Sequence, residues 1–193
     1  MDDLRTLRTK RLIVEAFIGL RATAGAGGSS VAETCRRAGV NRATFYRHFE
    51  DGGDLADRGI DFLLAELGRA IDAARPEGDT AISRVEARVA AFFEAMRAGR
   101  STLGPLFSGA AGKDLHDKAE AFVETYLLER RLAELDPSSL GLPPDLAARA
   151  LASTCLGFLA WYLEEERNLR PEKLAALYLG FIGRGLFAKA DWV

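Results

Sequence analysis

The chain has 193 residues, 48% of them apolar, and a formal net charge of −2, which allows one large domain or two unequal ones around a sizeable core and excludes a uniformly basic protein. Its two cysteines, Cys35 and Cys155, stand far apart and outside any CxxC, which excludes a disulfide framework or a cysteine zinc site and points to a reducing compartment.

The charge is unevenly spread. Residues 1–50 carry nine Lys/Arg against five Asp/Glu, a net of +4, and the remainder carries seventeen against twenty-three, a net of −6, so a basic head precedes an acidic body. The start, MDDLRTLRTKR, lacks the apolar stretch of roughly 7–15 residues that a signal peptide needs. No uninterrupted apolar run approaches the roughly 18 residues that span a bilayer, so a cytoplasmic location without membrane contact is expected.

Periodicity is helical nearly throughout, which predicts an all-α class. Leu12, Ile13, Ala16, Phe17 and Leu20 mark one face of a first helix, ended by Gly25, Gly27 and Gly28. Ser30 followed by Glu33 reads as the capping box of a second, short helix that Gly39 closes. Asn41 caps a third, over residues 42–49. After Gly52 and Gly53, Leu55, Ile60, Leu63, Leu64, Leu67 and Ile71 define a long fourth helix ending before Pro76 and Gly78. The fifth carries Ile82, Val85, Val89, Phe92, Phe93 and Met96, and the sixth runs from Ser101 to about Phe107. Gly109 and Gly112 lead into a seventh over 113–134, the loop DPSSLGLPP precedes an eighth over 145–167, and Pro171 opens a ninth reaching about residue 189.

Two short helices joined by a tight glycine-containing turn form a helix-turn-helix, which lays its second helix in the DNA major groove. At 100° per residue, Phe45 and Phe49 share a side with Val31 and Val40 as packing partners, while Arg42, Ala43, Tyr46 and Arg47 occupy the opposite arc. Arg42 in the first turn is the candidate base reader, since its planar fork matches guanine O6 and N7, and Ala43 suits a thymine methyl. Thr44, Tyr46, Arg47 and His48 carry groups suited to phosphate oxygens, and the helix start at Ser30 and Asn41 adds backbone donors. Taken alone, the same residues also describe a solvated face over a small core. With His116 the only other histidine, no metal site is expected, and Cys35 reads as a small buried hydrophobe.

The run SSVAETCRRAGVNRATFYRHFEDGGDL closely resembles the DNA-binding region of TetR-family transcriptional regulators. Ser30-Val31, Ala38-Gly39-Val40, Thr44, Phe45-Tyr46, His48 and Phe49 carry the match, which covers roughly residues 10–55. Asn41 replaces the usual Ser or Thr cap, Thr34-Cys35 the common Ile-Ala, and Gly52 the usual lysine, which removes one phosphate contact and is expected to loosen the start of helix four. The resemblance implies a nine-helix protein with a DNA-binding domain at 1–51 and an effector-binding and dimerisation domain at 52–193.

One half-site contact is weak, so a second copy must be held about 34–36 Å away. The wide apolar faces of helices eight and nine are the candidates: Leu151, Cys155, Phe158, Leu159 and Tyr162 with Leu174, Leu177, Tyr178, Phe181 and Leu186, as a four-helix interface that the resemblance also implies. These faces could equally close the monomer core. The resemblance further implies an effector pocket in the middle helices, where Phe92, Phe93, Met96, Leu103, Phe107, Phe122, Tyr126 and Trp161 supply large apolar side chains. With few polar groups among them, an apolar or aromatic small-molecule effector is expected, and no cofactor. The expected function is a homodimeric, ligand-responsive repressor of a palindromic DNA operator. The alternative is a small-molecule binding or sequestering protein with weakened DNA binding. An enzyme is not expected: there is no Gly-rich phosphate loop, no HExxH and no G-x-S-x-G.

Overall fold

The computed structural model describes residues 4–24, 29–76, 80–130, 143–164 and 169–184. Among them every regular element is helical: α1 (Leu4–Ala24), α2 (Val31–Ala38), α3 (Arg42–Tyr46), α4 (52–72, in the segments Gly52–Asp54, Leu55–Gly59 and Ile60–Asp72), α5 (Ala81–Ala98), α6 (Arg100–Phe107), α7 (Lys113–Arg130), α8 (Pro144–Glu164) and α9 (Pro171–Arg184). The all-α class and the helix order agree with the periodicity. The glycine stop at Gly25, Gly27 and Gly28, Gly78, the loop through residue 142, the expected end of α7 past residue 130 and the end of α9 with Leu186 lie outside the described residues.

The helices form two compact units. The first comprises Met1–Leu67 and Gly99–Ala121 and so extends past residue 51. Its buried face on α1 is Ile13, Val14, Phe17, Ile18 and Leu20, with α1 contacting α2, α4 and α6. Leu12, expected on that face, is exposed instead, because the inward arc is centred on Val14 and Ile18. Arg21 is also buried: its guanidinium donates to the carbonyl of Ala111 at 2.9 Å and to Asp114 at 2.5 Å, so the cation is compensated by two acceptors.

Within α4, Leu55–Gly59 adopts the wider π turn. Gly59 is buried there, and a Cβ on it would stand 2.9 Å from the end of the Leu55 side chain and 3.0 Å from Val14 on α1, so the close approach of the two helices favours glycine.

The second unit comprises Gly68–Ala98 and Phe122–Val193. Its buried side chains include Ile71, Phe92, Phe93, Met96, Val123, Cys155, Leu159, Tyr162, Leu174 and Tyr178, and α9 packs on α5 and α8. By length and mean hydropathy α8 could cross a membrane. Its Ala147, Ala148, Ala152, Cys155 and Leu159 are buried within the unit, the pattern of a core helix.

Candidate nucleic-acid interface

Three local signals fix the α2–α3 pair. The Ser30 hydroxyl accepts from the N–H of Glu33 at 3.2 Å, capping α2. Only that half of the box forms, because the Glu33 carboxylate pairs with Arg36, which also holds Glu33 below the usual carboxylate range. Gly39 ends α2 at φ 66°, and the N–H of Val40 reaches back to the Cys35 carbonyl at 3.0 Å, the left-handed close that glycine takes without a Cβ clash. Asn41 then caps α3, its side chain accepting from the N–H of Thr44 at 2.7 Å.

α3 is shorter than the 42–49 expected. It ends at Tyr46, and His48 and Phe49 continue as a turn on the Phe45 carbonyl. The division of faces is as read from the sequence: Phe45 and Phe49 are buried with rings 5.9 Å apart, whereas Asn41, Arg42, Ala43, Tyr46 and Arg47 are exposed, Tyr46 by 57%. Thr44 and His48 are half-buried at the edge, and Thr44 receives a hydrogen bond from Arg47 at 3.0 Å. Of the amides at the start of α3, that of Thr44 is already taken by the Asn41 side chain. Sequence reading missed the first turns of α1, where Arg5, Thr9 and Lys10 line one groove with Thr44, Arg47 and His48. Nothing in the order of residues said which element they would face.

The residues expected at an effector pocket separate. Phe92, Phe122 and Tyr126 line a cavity of ≈ 40 Å³ together with Ile71, Arg88, Val89, Val123, Cys155 and Tyr178. Tyr126 donates its hydroxyl to Asp72 at 2.9 Å. Phe93 and Met96 are buried core residues absent from that lining. Leu103 and Phe107 belong to the first unit, so they do not join the cavity of the second. Their apolar character serves the core of their own unit.

The fold has counterparts among solved structures. The fatty acid degradation regulator FadR from Bacillus halodurans is 18% identical, with 96% of this chain and 98% of that one covered at a TM-score of 0.71. A TetR transcriptional regulator from Streptococcus agalactiae 2603V is 20% identical, with 92% and 95% covered at 0.62. A transcriptional regulator from Rhodococcus sp. Rha1 is 22% identical, with 95% and 98% covered at 0.61. The chain has the TetR-type regulator fold. No protein-family model matches the sequence, and no curated protein does.

In this chain the helix faces expected to dimerise divide as well. Cys155, Leu159, Tyr162, Leu174 and Tyr178 turn inward: the Tyr162 hydroxyl donates to the Leu169 carbonyl at 2.9 Å and the Tyr178 hydroxyl to the Leu151 carbonyl at 3.0 Å. They are therefore committed to their own unit. Leu151 and Phe158 are half-buried, while Leu177 and Phe181 are exposed by 44% and 37%. Trp161, expected at the effector pocket, stands outside with them at 41%, where it lines an apolar groove with Gly157, Phe158, Leu177, Gly180 and Phe181. A tryptophan on a helix with two wide apolar faces cannot be assigned to one of them by periodicity alone.

Proposed function

We propose that this chain is a cytoplasmic transcriptional regulator that binds a palindromic DNA operator as a homodimer, represses, and is released by a small apolar or aromatic effector. The observation that carries the reading is the two-sided third helix: Phe45, fully buried, fixes its pose, while Arg42, Ala43, Tyr46 and Arg47 stand in solvent on the other side. Arg42 would read a guanine, Ala43 a thymine methyl, and Ser30, Asn41, Thr44, Tyr46, Arg47 and His48 the phosphates. Residues 1–51 would read DNA and 52–193 would dimerise and sense the effector.

The exposed groove of Trp161, Leu177 and Phe181 supports a second copy as its cover, which would set two heads at half-site spacing. The apolar lining beside Phe92, Phe122 and Tyr126 supports an apolar effector, for which the cavity of ≈ 40 Å³ would have to widen several-fold, and the B. halodurans counterpart is a fatty acid degradation regulator. A ligand that favours a different head spacing lowers DNA affinity by its differential binding energy.

Selection of duplexes from a random pool, followed by binding of wild type and Arg42→Ala across a salt series, tests the reading. The expected result is a selected palindrome bound with a steep salt dependence, and a relaxed base preference in Arg42→Ala. No specific complex at low salt would instead favour the sequestering protein.

A further inference from the structure

The cavity of the second unit is closed to organic ligands as it stands: ≈ 40 Å³ has room for a few waters at most. Its inner wall is fixed. Phe92 and Tyr178 are buried, each edge-on to the ring of Phe93 at 5.5 and 6.2 Å, and the Tyr178 hydroxyl donates to the Leu151 carbonyl at 3.0 Å. The outer wall is built differently. Phe122 and Tyr126 stand at i and i+4 on one face of α7 with rings 5.9 Å apart, and they are half-buried, so these two rings of the lining reach the surface. Phe122 lies over Gly68 of α4, where even a Cβ would stand 3.6 Å from the ring, so no side chain at that position holds it. Tyr126 is fastened to α4 by its hydroxyl, which donates to the Asp72 carboxylate at 2.9 Å.

We infer that Phe122 and Tyr126 form a lid over a site for a neutral planar aromatic molecule, and that the Tyr126–Asp72 hydrogen bond keeps the lid shut. The class of ligand follows from the lining. Fixed rings offer the edge and face contacts that favour another ring, and Ile71, Val89 and Val123 supply the remaining carbon surface. Arg88 also lines the cavity, but Asp72 stands at the lid, so an anion entering there meets a like charge. The inference rests on the effector-binding part of the reading above and adds to it the ligand class and the lid. A ligand that binds only the open form has its apparent affinity reduced by the fraction of molecules that are open. Tyr126 therefore acts on affinity through the lid, as a positioning residue.

The test is calorimetric titration of the full chain with indole, and with octanoate as the anionic aliphatic alternative, in wild type, Tyr126→Phe, Val89→Phe and Leu177→Glu. Tyr126→Phe keeps the ring and loses the bond to Asp72, so indole is expected to bind it roughly three- to tenfold more tightly than wild type. A phenol that touched the ligand directly would instead weaken binding on removal of its hydroxyl. Val89→Phe fills the cavity and is expected to abolish binding, whereas Leu177→Glu, in the exposed groove of α8 and α9, leaves it unchanged. Equal or weaker binding by Tyr126→Phe overturns the lid. Loss of binding in Leu177→Glu but not in Val89→Phe puts the indole in the exposed groove and overturns the site, and octanoate bound in preference to indole overturns the ligand class. Indole bound by neither wild type nor Tyr126→Phe overturns the whole inference, while selection of a duplex leaves the DNA-binding reading standing. Indole that binds as expected yet leaves a selected duplex bound upholds the site and overturns release by the effector.

Discussion

The carboxylate of Asp51 accepts a hydrogen bond from the backbone N–H of Asp54 at 2.8 Å, and the carboxylate of Asp54 accepts from the N–H of Glu50 at 2.9 Å. The two aspartates close the start of α4 from both directions, as a capping box does. Asp54 also holds Arg58 at 3.1 Å. Gly52, read from the sequence as a loosening of this helix, lies inside a turn fixed by its flanking residues.

Gly52→Lys is therefore tolerated. A Cβ there meets nothing within 4 Å. The gain of about 0.5–1 kcal/mol from replacing glycine in a helix is offset by a cation at a helix N-terminus, about 0.3–1 kcal/mol, so the thermal midpoint stays nearly unchanged. Duplex binding tightens and its salt slope steepens by roughly 0.9 per head. Titrations at three or four salt concentrations check this, and an unaltered slope would show that position 52 does not face phosphate.

Thr34 is fully buried and its hydroxyl has no hydrogen-bond partner. An unsatisfied buried hydroxyl costs about 1–3 kcal/mol. Thr34→Val keeps the branched shape and removes that oxygen, so chemical denaturation is expected to show a gain of about 1 kcal/mol with an unchanged m-value.

Leu177→Glu or Phe181→Glu places a charge on the exposed face of α9 while sparing the residues turned inward. Sedimentation is expected to report a folded monomer for both and a dimer for wild type. Phe181 meets the ring of Phe158 at 5.7 Å, so the face is ordered by its own aromatic contacts before any partner arrives. A dimer that survived both substitutions would move the interface elsewhere.

The thiols are expected to be inert. Burial pushes Cys155 up to about 12, with the hydrogen bond to Tyr178 acting in the opposite sense, and burial also raises Cys35, against the pull of Arg42. A thiol-specific reagent at pH 8 should label neither until denaturant is added. Stability is linked to the same proton: above about pH 9 the unfolded chain loses it from Cys155 and the folded chain keeps it, so stability falls as pH rises from about 9 towards 12. Cys155→Ala should lessen that fall.

Much of this architecture was legible in the order of residues. The α2–α3 pair is spelled by local chemistry, since Ser30, Gly39 and Asn41 act on backbone groups within four residues of themselves, and the anchoring of Phe45 and Phe49 follows from helical spacing. Leu12 against Val14, and Trp161 against Tyr162, were not legible. A helix with apolar residues around most of its circumference has no single inward arc until its neighbours are placed. The cavity residues divided for the same reason: Leu103 and Phe107 share the composition of Phe92 and Phe122 but belong to a different compact unit.

The wide turn at Leu55–Gly59 has a consequence for insertions and deletions along α4. A π turn absorbs a surplus residue without rotating the rest of the helix. Removing one residue inside it would restore ordinary helical pairing and keep Leu63, Leu64, Leu67 and Ile71 aimed inward. The same deletion one turn later would swing every downstream side chain by about 100° and turn the hydrophobic stripe outward. Length changes in this helix are thus survivable in one short window only.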